Sequence, residues 1–462
     1  MLRALGVFAA LVALALPDGA LAASARHHPH HKAPAPGTLS QLQGARGCLV
    51  DRSTPSHGCG MARALRGPGP FMGSRAIALS PDGKSVYVAS SRSDAIAIFR
   101  RNARTGALRQ PAGSSGCIAA KGAGGCARAV GLNGPNSVAV SADGRNVYAT
   151  SRGSNSLTIF HRNRSTGALE QLRGGFGCIS GLPLPGCAAG RALLGPDVVV
   201  VSPDGANVYV GSFFGNAVAV FDRDRAGGAL AQPGDSSGCI AEAMSGCAPG
   251  VALGAPEGMA ISPNGASVYV ATALSNALVV LSRDRSSGAV TQAGCIVDTP
   301  LGGCTSGVQL SGANAVAVSP AKGNVYVTSL FSNSVTSFGQ ATSGLAQKPG
   351  TAGCLVWLRA VGCSFGRALS SPEGLAVSPD GENVYVAAFA TGAIDVLDRT
   401  RESGAVVQKP GRPGCLAPRS VPGCTRARAL RGVSSIALSP DGRYLYSTSF
   451  GSNAVDIFRR SR

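Results

Sequence analysis

The chain has few of the side chains from which enzymes usually build reactive centres. It has six histidines, one tryptophan and 23 acidic residues in 462, and aromatic residues make up 5% of it. His27, His28, His30 and His31 sit together near the N-terminus, leaving only His57 and His161 elsewhere. Neither is expected near the other or near a shared centre, which argues against a Ser-His-Asp hydrolase. No phosphate loop or dinucleotide fingerprint is present, so no organic cofactor is indicated. Long apolar runs are also missing. The one candidate, Ala4 to Leu16, follows Arg3 and precedes Ala20-Leu21-Ala22. It is short for a bilayer span and reads as the core of a secretory signal peptide over residues 1–22. Residues 23–36, with Arg26-His27-His28-Pro29-His30-His31-Lys32, read as a disordered tether whose histidines could bind a transition metal weakly.

What the chain does have is a unit of about sixty residues, present seven times. A Ser-Pro-Asp-Gly turn or its variant marks each copy, with its serine at Ser80, Ser141, Ser202, Ser262, Ser319, Ser378 and Ser439. In the second copy an apolar run, Val138 to Val140, enters the turn. Strand-like segments follow at Asn146 to Thr150, Ser156 to Phe160 and Ala168 to Gln171. Proline presets φ and glycine accepts the left-handed position, so the turn suits a tight hairpin. Four short antiparallel strands per unit are therefore expected, apolar on both faces. Tyr87, Tyr148, Tyr209, Tyr269, Tyr326, Tyr385 and Tyr446 occupy one place in the unit, as core packing residues should.

The last unit stops after its third strand, Ala454 to Phe458, while Gly37-Thr38-Leu39-Ser40-Gln41 matches Gly106-Ala107-Leu108-Arg109-Gln110. An N-terminal strand over 37–43 joining residues 433–460 would close a ring and protect the sheet edges. The expected fold is an all-β, seven-bladed propeller over residues 37–462.

The run from Pro372 to Val386, Pro-Glu-Gly-Leu-Ala-Val-Ser-Pro-Asp-Gly followed by Asn-Val-Tyr-Val, resembles the YVTN-repeat and lactonase-like seven-bladed propellers. The resemblance covers all seven units and is specific for fold, since superfolds host unrelated activities. It implies a lactonase site with His, Arg and Glu; this chain has Arg and Glu candidates but no histidine at the expected mouth.

Fourteen cysteines fall in seven pairs, one per unit: Cys48/Cys59, Cys117/Cys126, Cys178/Cys187, Cys239/Cys247, Cys295/Cys304, Cys354/Cys363 and Cys415/Cys424. Each pair is expected to bracket the loop from the fourth strand of one blade to the first strand of the next. Their spacing does not match zinc ligation by Cys-x-x-Cys couples, and an export signal with an even count points to local disulfides. A secreted or cell-envelope location is expected. The formal charge is +19, with 42 Lys and Arg. Much of the excess falls in the bend after the third strand, at Arg100, Arg101, Arg104, Arg162, Arg164, Arg223, Arg225, Arg283, Arg285, Arg399, Arg401, Arg459, Arg460 and Arg462. These arginines are expected to ring one face, as a solvated salt-bridge rim or as an attraction for wall polyanions. No aromatic platforms accompany them, so specific nucleic-acid binding is not expected.

Candidate chemistry lies on the opposite face. The starts of the first strands supply Arg75, Asn136, Asp197, Glu257, Asn314, Glu373 and Ser434. Of these, Asn136, Asp197, Glu257, Asn314 and Glu373 could converge on a divalent cation such as calcium, or cap the channel with water. The bends between second and third strands add Arg92, Arg152, Phe213, Phe331, Phe389 and Phe450, a mouth cationic on one side and apolar on the other that suits a small organic anion. The residues favour an exported, disulfide-stapled binding or scaffold module, monomeric, holding a small ligand, wall component or protein. The alternative is a lactone hydrolase at the channel mouth, with or without a metal.

Overall fold

The described residues form seven sheets, one per repeat, with β-strands throughout and only short 3-10 turns between them. The computed structural model describes residues 34–462 apart from 70–74, 322, 343 and 419, and residues Ala35–Arg462 form one body. The signal peptide and most of the tether expected from the sequence lie outside the described residues.

In the second blade the strands are Pro135–Val140, Asn146–Ser151 and Ser156–Arg162, paired antiparallel. The second strand is buried along its whole length, which explains why it hardly alternates with polar residues. The fourth strand comes in two parts. Leu169–Gln171 pairs with the end of the third strand and Cys178–Ser180 with its beginning. Between them runs a 3-10 turn, Gly174–Gly177. A Cβ on Gly177 would lie 2.2 Å from the Leu172 carbonyl oxygen, so only glycine fits there. A short edge strand, Ala188–Ala189, then adds parallel to Cys178–Ser180. Six sheets therefore have six strands and one has five, rather than the expected four, because the cysteine loop folds back onto its own blade.

All seven disulfides form within their own repeats, as the spacing predicts: Cys48–Cys59, Cys117–Cys126, Cys178–Cys187, Cys239–Cys247, Cys295–Cys304, Cys354–Cys363 and Cys415–Cys424. Their place in the blade differs from the expected one. The first cysteine of each pair is buried within the fourth strand. The second does not stand at the entrance to the next blade. Cys59, Cys126, Cys187, Cys247, Cys304, Cys363 and Cys424 each come directly before the short edge strand of their own sheet, as Cys187 precedes Ala188–Ala189. Cys59 and Cys424 are buried there and the other five are half-buried. The bridges thus hold an added strand on the rim of each blade instead of closing a loop between blades. The reason is that the parallel partner strand is only two or three residues long, too weak in backbone pairing to mark itself in the sequence.

At the ends of the chain, Leu39–Gln41 pairs antiparallel with Ala454–Arg460, Leu39 opposite Arg460, and Cys48–Asp51 pairs with the same strand. The seventh sheet thus draws strands from both termini.

The recurrent arginines require a correction. Arg101, Arg162, Arg223, Arg283, Arg399 and Arg460 are not surface residues but are buried between blades. In each, Nε donates at 2.7–2.8 Å to the tyrosine hydroxyl of the preceding blade: Tyr446, Tyr87, Tyr148, Tyr209, Tyr326 and Tyr385 respectively. The same hydroxyl donates to a glycine carbonyl in the bend beyond that arginine, as Tyr87 does to Gly167 at 2.8 Å. In five of the six the guanidinium also meets the aspartate of the preceding blade's turn, for example Arg162 with Asp82 at 3.0 Å. Burial of a charge is tolerated only with such partners. The other bend arginines, among them Arg100, Arg104, Arg164, Arg225, Arg285, Arg401, Arg459 and Arg462, are exposed. In the fifth blade Gln340 replaces arginine and hydrogen-bonds Tyr269.

A second clamp works at the outer edge. The glutamine of each fourth strand accepts from the backbone N–H and donates to the C=O of one residue in the preceding loop; Gln171 does this with Val130, both at 2.8 Å. Gln41, from the N-terminal strand, does the same with Arg428.

Candidate active site at the channel mouth

Six of the described first strands carry an irregularity in the ladder just after the opening residue, as between Pro135 and Ser137, Pro196 and Val198, and Pro256 and Gly258. The skipped residue is the one singled out from the sequence: Asn136, Asp197, Glu257, Asn314, Glu373 and Ser434. All six are buried. Three of them reach around the ring to the next blade. Asn136 donates to both the backbone and the carboxylate of Asp197, Asn314 Nδ2 donates to the Pro372 carbonyl at 3.0 Å, and Ser434 Oγ donates to the Gly69 carbonyl at 2.7 Å.

The first blade differs from the other six. Pro68 bridges Ser90 as Pro135 pairs with Ser151, and Ile77 pairs with Val88 as Val138 pairs with Ala149. Pro68 takes the place of Pro135, while Arg75 stands two residues before Ile77 as Asn136 stands two before Val138. Arg75 lines the central cavity further along the channel.

The electrostatics centre on blades two to six. Arg152 makes a 2.8 Å salt bridge to Asp197, the carboxylate buried and the guanidinium 29% exposed. Burial raises Asp197 above the ordinary carboxylate range, against the lowering effect of Arg152 and Asn136. Glu257 is raised further, first by burial and then by the negative fields of Asp197 and Glu373, with Arg152 offsetting part of it. Burial and the negative fields of its neighbours thus both oppose ionisation of Glu257. A neutral carboxyl beside an ionised one, next to a cation, provides an acid and a base in one place.

The bends form a two-sided rim. Arg152 lies over the rings of Phe213 at 4.7 Å and Phe214 at 5.8 Å, and Arg92 over Phe450 at 4.2 Å, within cation–π range. Phe213, Phe389 and Phe450 are half-buried, whereas Phe214, Leu274 and Phe331 on three successive blades are 60%, 69% and 64% exposed. Thr150 and Thr328 were not singled out from the sequence. Their hydroxyls donate to the side-chain oxygens of Asn136 and Asn314, fixing how those amides point. Their position two residues after the tyrosine, Tyr148 and Tyr326, was the only available signal. His57 and His161 are exposed and away from the mouth.

Three of the five donors proposed for a cation, Asn136, Asp197 and Asn314, make other hydrogen bonds. Asp197 is taken by Arg152 and Asn136, and the Asn314 amide is used on both sides. Among the described residues no group of three or more His, Cys, Asp or Glu side chains is arranged to hold a metal ion. Nor is any helix there long and apolar enough to cross a membrane.

A family model described as lactonase, 7-bladed β-propeller, matches residues 69–119, 117–174 and 194–306. Curated proteins returned no match. Among solved structures, a putative 6-phosphogluconolactonase from Bacteroides uniformis is 18% identical with a TM-score of 0.51, covering 79% of this chain and 88% of that one. A hydrazine synthase from Kuenenia stuttgartiensis is 19% identical with a TM-score of 0.50, covering 85% and 97%. A second putative 6-phosphogluconolactonase, from Bacteroides fragilis, is 16% identical with a TM-score of 0.50, covering 72% and 81%. At these identities the likeness is one of fold, and the names of the three neighbours span unrelated activities on it.

Proposed function

We propose that this chain, a lactonase-like seven-bladed propeller, is an exported lactone hydrolase acting at the channel mouth. The observation that carries the reading is the buried Asp197 carboxylate on the Arg152 guanidinium, with Glu257 in the field of both and of Glu373. Its match to a lactonase family model supports the same class of reaction. In hydrolysis, water adds to the ring carbonyl carbon, the ring C–O bond breaks, and the released alcohol oxygen takes a proton. Arg152, the exposed member, orients the substrate and steadies the oxyanion. An ionised carboxylate at the mouth accepts the proton from water, and the neutral Glu257 carboxyl returns one to the departing oxygen. Seven disulfides fit an oxidising compartment outside the cytoplasm, to which the leader at residues 1–22 would direct the chain.

One observation favours a second reading. The carboxyl side chains are buried, so the mouth meets a ligand first with Arg92, Arg152 and the phenylalanines, as a binding module for a small anion or wall polyanion would. A screen of aldonolactones and their 6-phosphorylated forms, with and without chelator, separates the two. Turnover lost in Glu257→Gln, with a raised KM in Arg152→Met, is expected. Lactone-induced stabilisation without turnover selects the binding module, and neither effect overturns both. Loss of turnover to chelator would restore a divalent cation at Asn136, Asp197, Glu257, Asn314 and Glu373.

A further inference from the structure

The channel has a second compartment, towards the turns. It is a cavity of about 480 Å3. First-strand side chains line it, including Ile77, Leu79, Val138, Val140 and Leu375, and Pro203 and Pro263 of two turns mark its outer end. Every described lining side chain except Arg75 is apolar. The Arg75 backbone is anchored, its carbonyl accepting from Val138 N–H of the next blade at 3.0 Å. Its guanidinium is in the reverse situation. Burial lowers its pKa, and no carboxylate among the described residues offsets that.

This sets Arg75 apart from the other buried arginines. Arg162 and its equivalents have a tyrosine hydroxyl and, in five of six, an aspartate. A cation inside a chamber of apolar side chains is costly unless something negative reaches it. The chamber's volume falls within the range of small-molecule pockets.

We infer that this inner compartment binds an organic monoanion with an aliphatic body, its carboxylate on the Arg75 guanidinium and its chain along the apolar side chains of the first strands. Charge complementarity selects the head, and the lining selects the tail. The site is separate from the carboxylate group at the mouth and does not depend on lactone hydrolysis.

Calorimetry on the full chain with decanoate, decanol and inorganic phosphate as probes tests it. Decanoate should bind saturably with one site per chain, and decanol and phosphate at least tenfold more weakly. Arg75→Met should lose at least tenfold in decanoate affinity, Arg75→Lys should keep most of it, and Glu257→Gln should leave it unchanged. Melting curves matching the parent show that the Arg75 variants fold. The inference is overturned by absence of saturable decanoate binding, by equal binding of decanol or phosphate, or by Arg75→Met binding as the parent does. Loss of binding in Glu257→Gln would also overturn it, because it would move the site to the mouth.

Discussion

The two ends of the channel are built by the same seven repeats, yet one end repeats its chemistry and the other does not. On the turn face, an arginine ending the third strand meets the tyrosine of the preceding blade in six interfaces, and in five it also meets that blade's turn aspartate. On the mouth face, the starts of the first strands carry Arg75, Asn136, Asp197, Glu257, Asn314, Glu373 and Ser434. Every interface must hold the same angle between neighbouring blades, so the turn face answers one steric and electrostatic demand over and over. At the mouth position the side chain and its partner change from blade to blade, as Asn136 meets Asp197 and Ser434 meets Gly69. Divergence there, against uniformity below, shows that the repeat does not require one residue at the mouth.

The comparison breaks hardest at the seam between the termini. Removing residues 37–43 takes away the strand paired with Ala454–Arg460, the Gly37 carbonyl that accepts from Tyr385, and the Gln41 clamp on Arg428. The loss of thermal stability should exceed that of any single substitution and be accompanied by proteolysis of the last blade; a truncated chain melting with the parent would show that the strand is dispensable.

A single lock comes next. Arg162→Met leaves Tyr87 and Asp82 without their shared partner and should cost roughly 3 kcal/mol. Arg164→Ser, two residues away on the exposed bend, should change stability by less than about 0.5 kcal/mol. Chemical denaturation of both variants measures the difference, and equal effects would return the bend arginines to a common surface role.

The smallest effect belongs to the mouth. Glu257 has its folded pKa raised above the ordinary value of about 4.3, so the native state holds a proton that the unfolded chain releases. Stability is therefore lost as pH rises above the unfolded value towards the folded one, with a slope of at most about 1.4 kcal/mol per pH step of one. Glu257→Gln should flatten the resulting fall in melting temperature between pH 5 and 8. A parent with no such fall, or a variant that keeps it, would mean that the carboxyl is not held neutral.

Much of this was legible along the chain, and the exceptions share a cause. Strand order, the turn, the tyrosines and the cysteine pairs all recur at one spacing and act within a repeat. Arg162 also recurs, but its partner Tyr87 lies in the repeat before it, and the pattern Phe160-His161-Arg162 looks like an exposed bend until that neighbour is in place. The clamp glutamines, such as Gln171, were equally periodic and equally silent. Cys187 was paired correctly from its spacing, yet its position beside an edge strand followed only from how the loop folds back on Cys178–Ser180.

By itself the sequence determined the number of blades, the path of the chain in each, and the seven disulfides, because local turn chemistry and apolar patterning act between residues close in the chain. Tertiary structure alone decided which arginines are buried, that Arg152 pairs with Asp197, and that Arg75 lines the central cavity. Those outcomes depend on side chains from different repeats meeting at set distances, and the cost of burying a charge depends on what stands beside it in space.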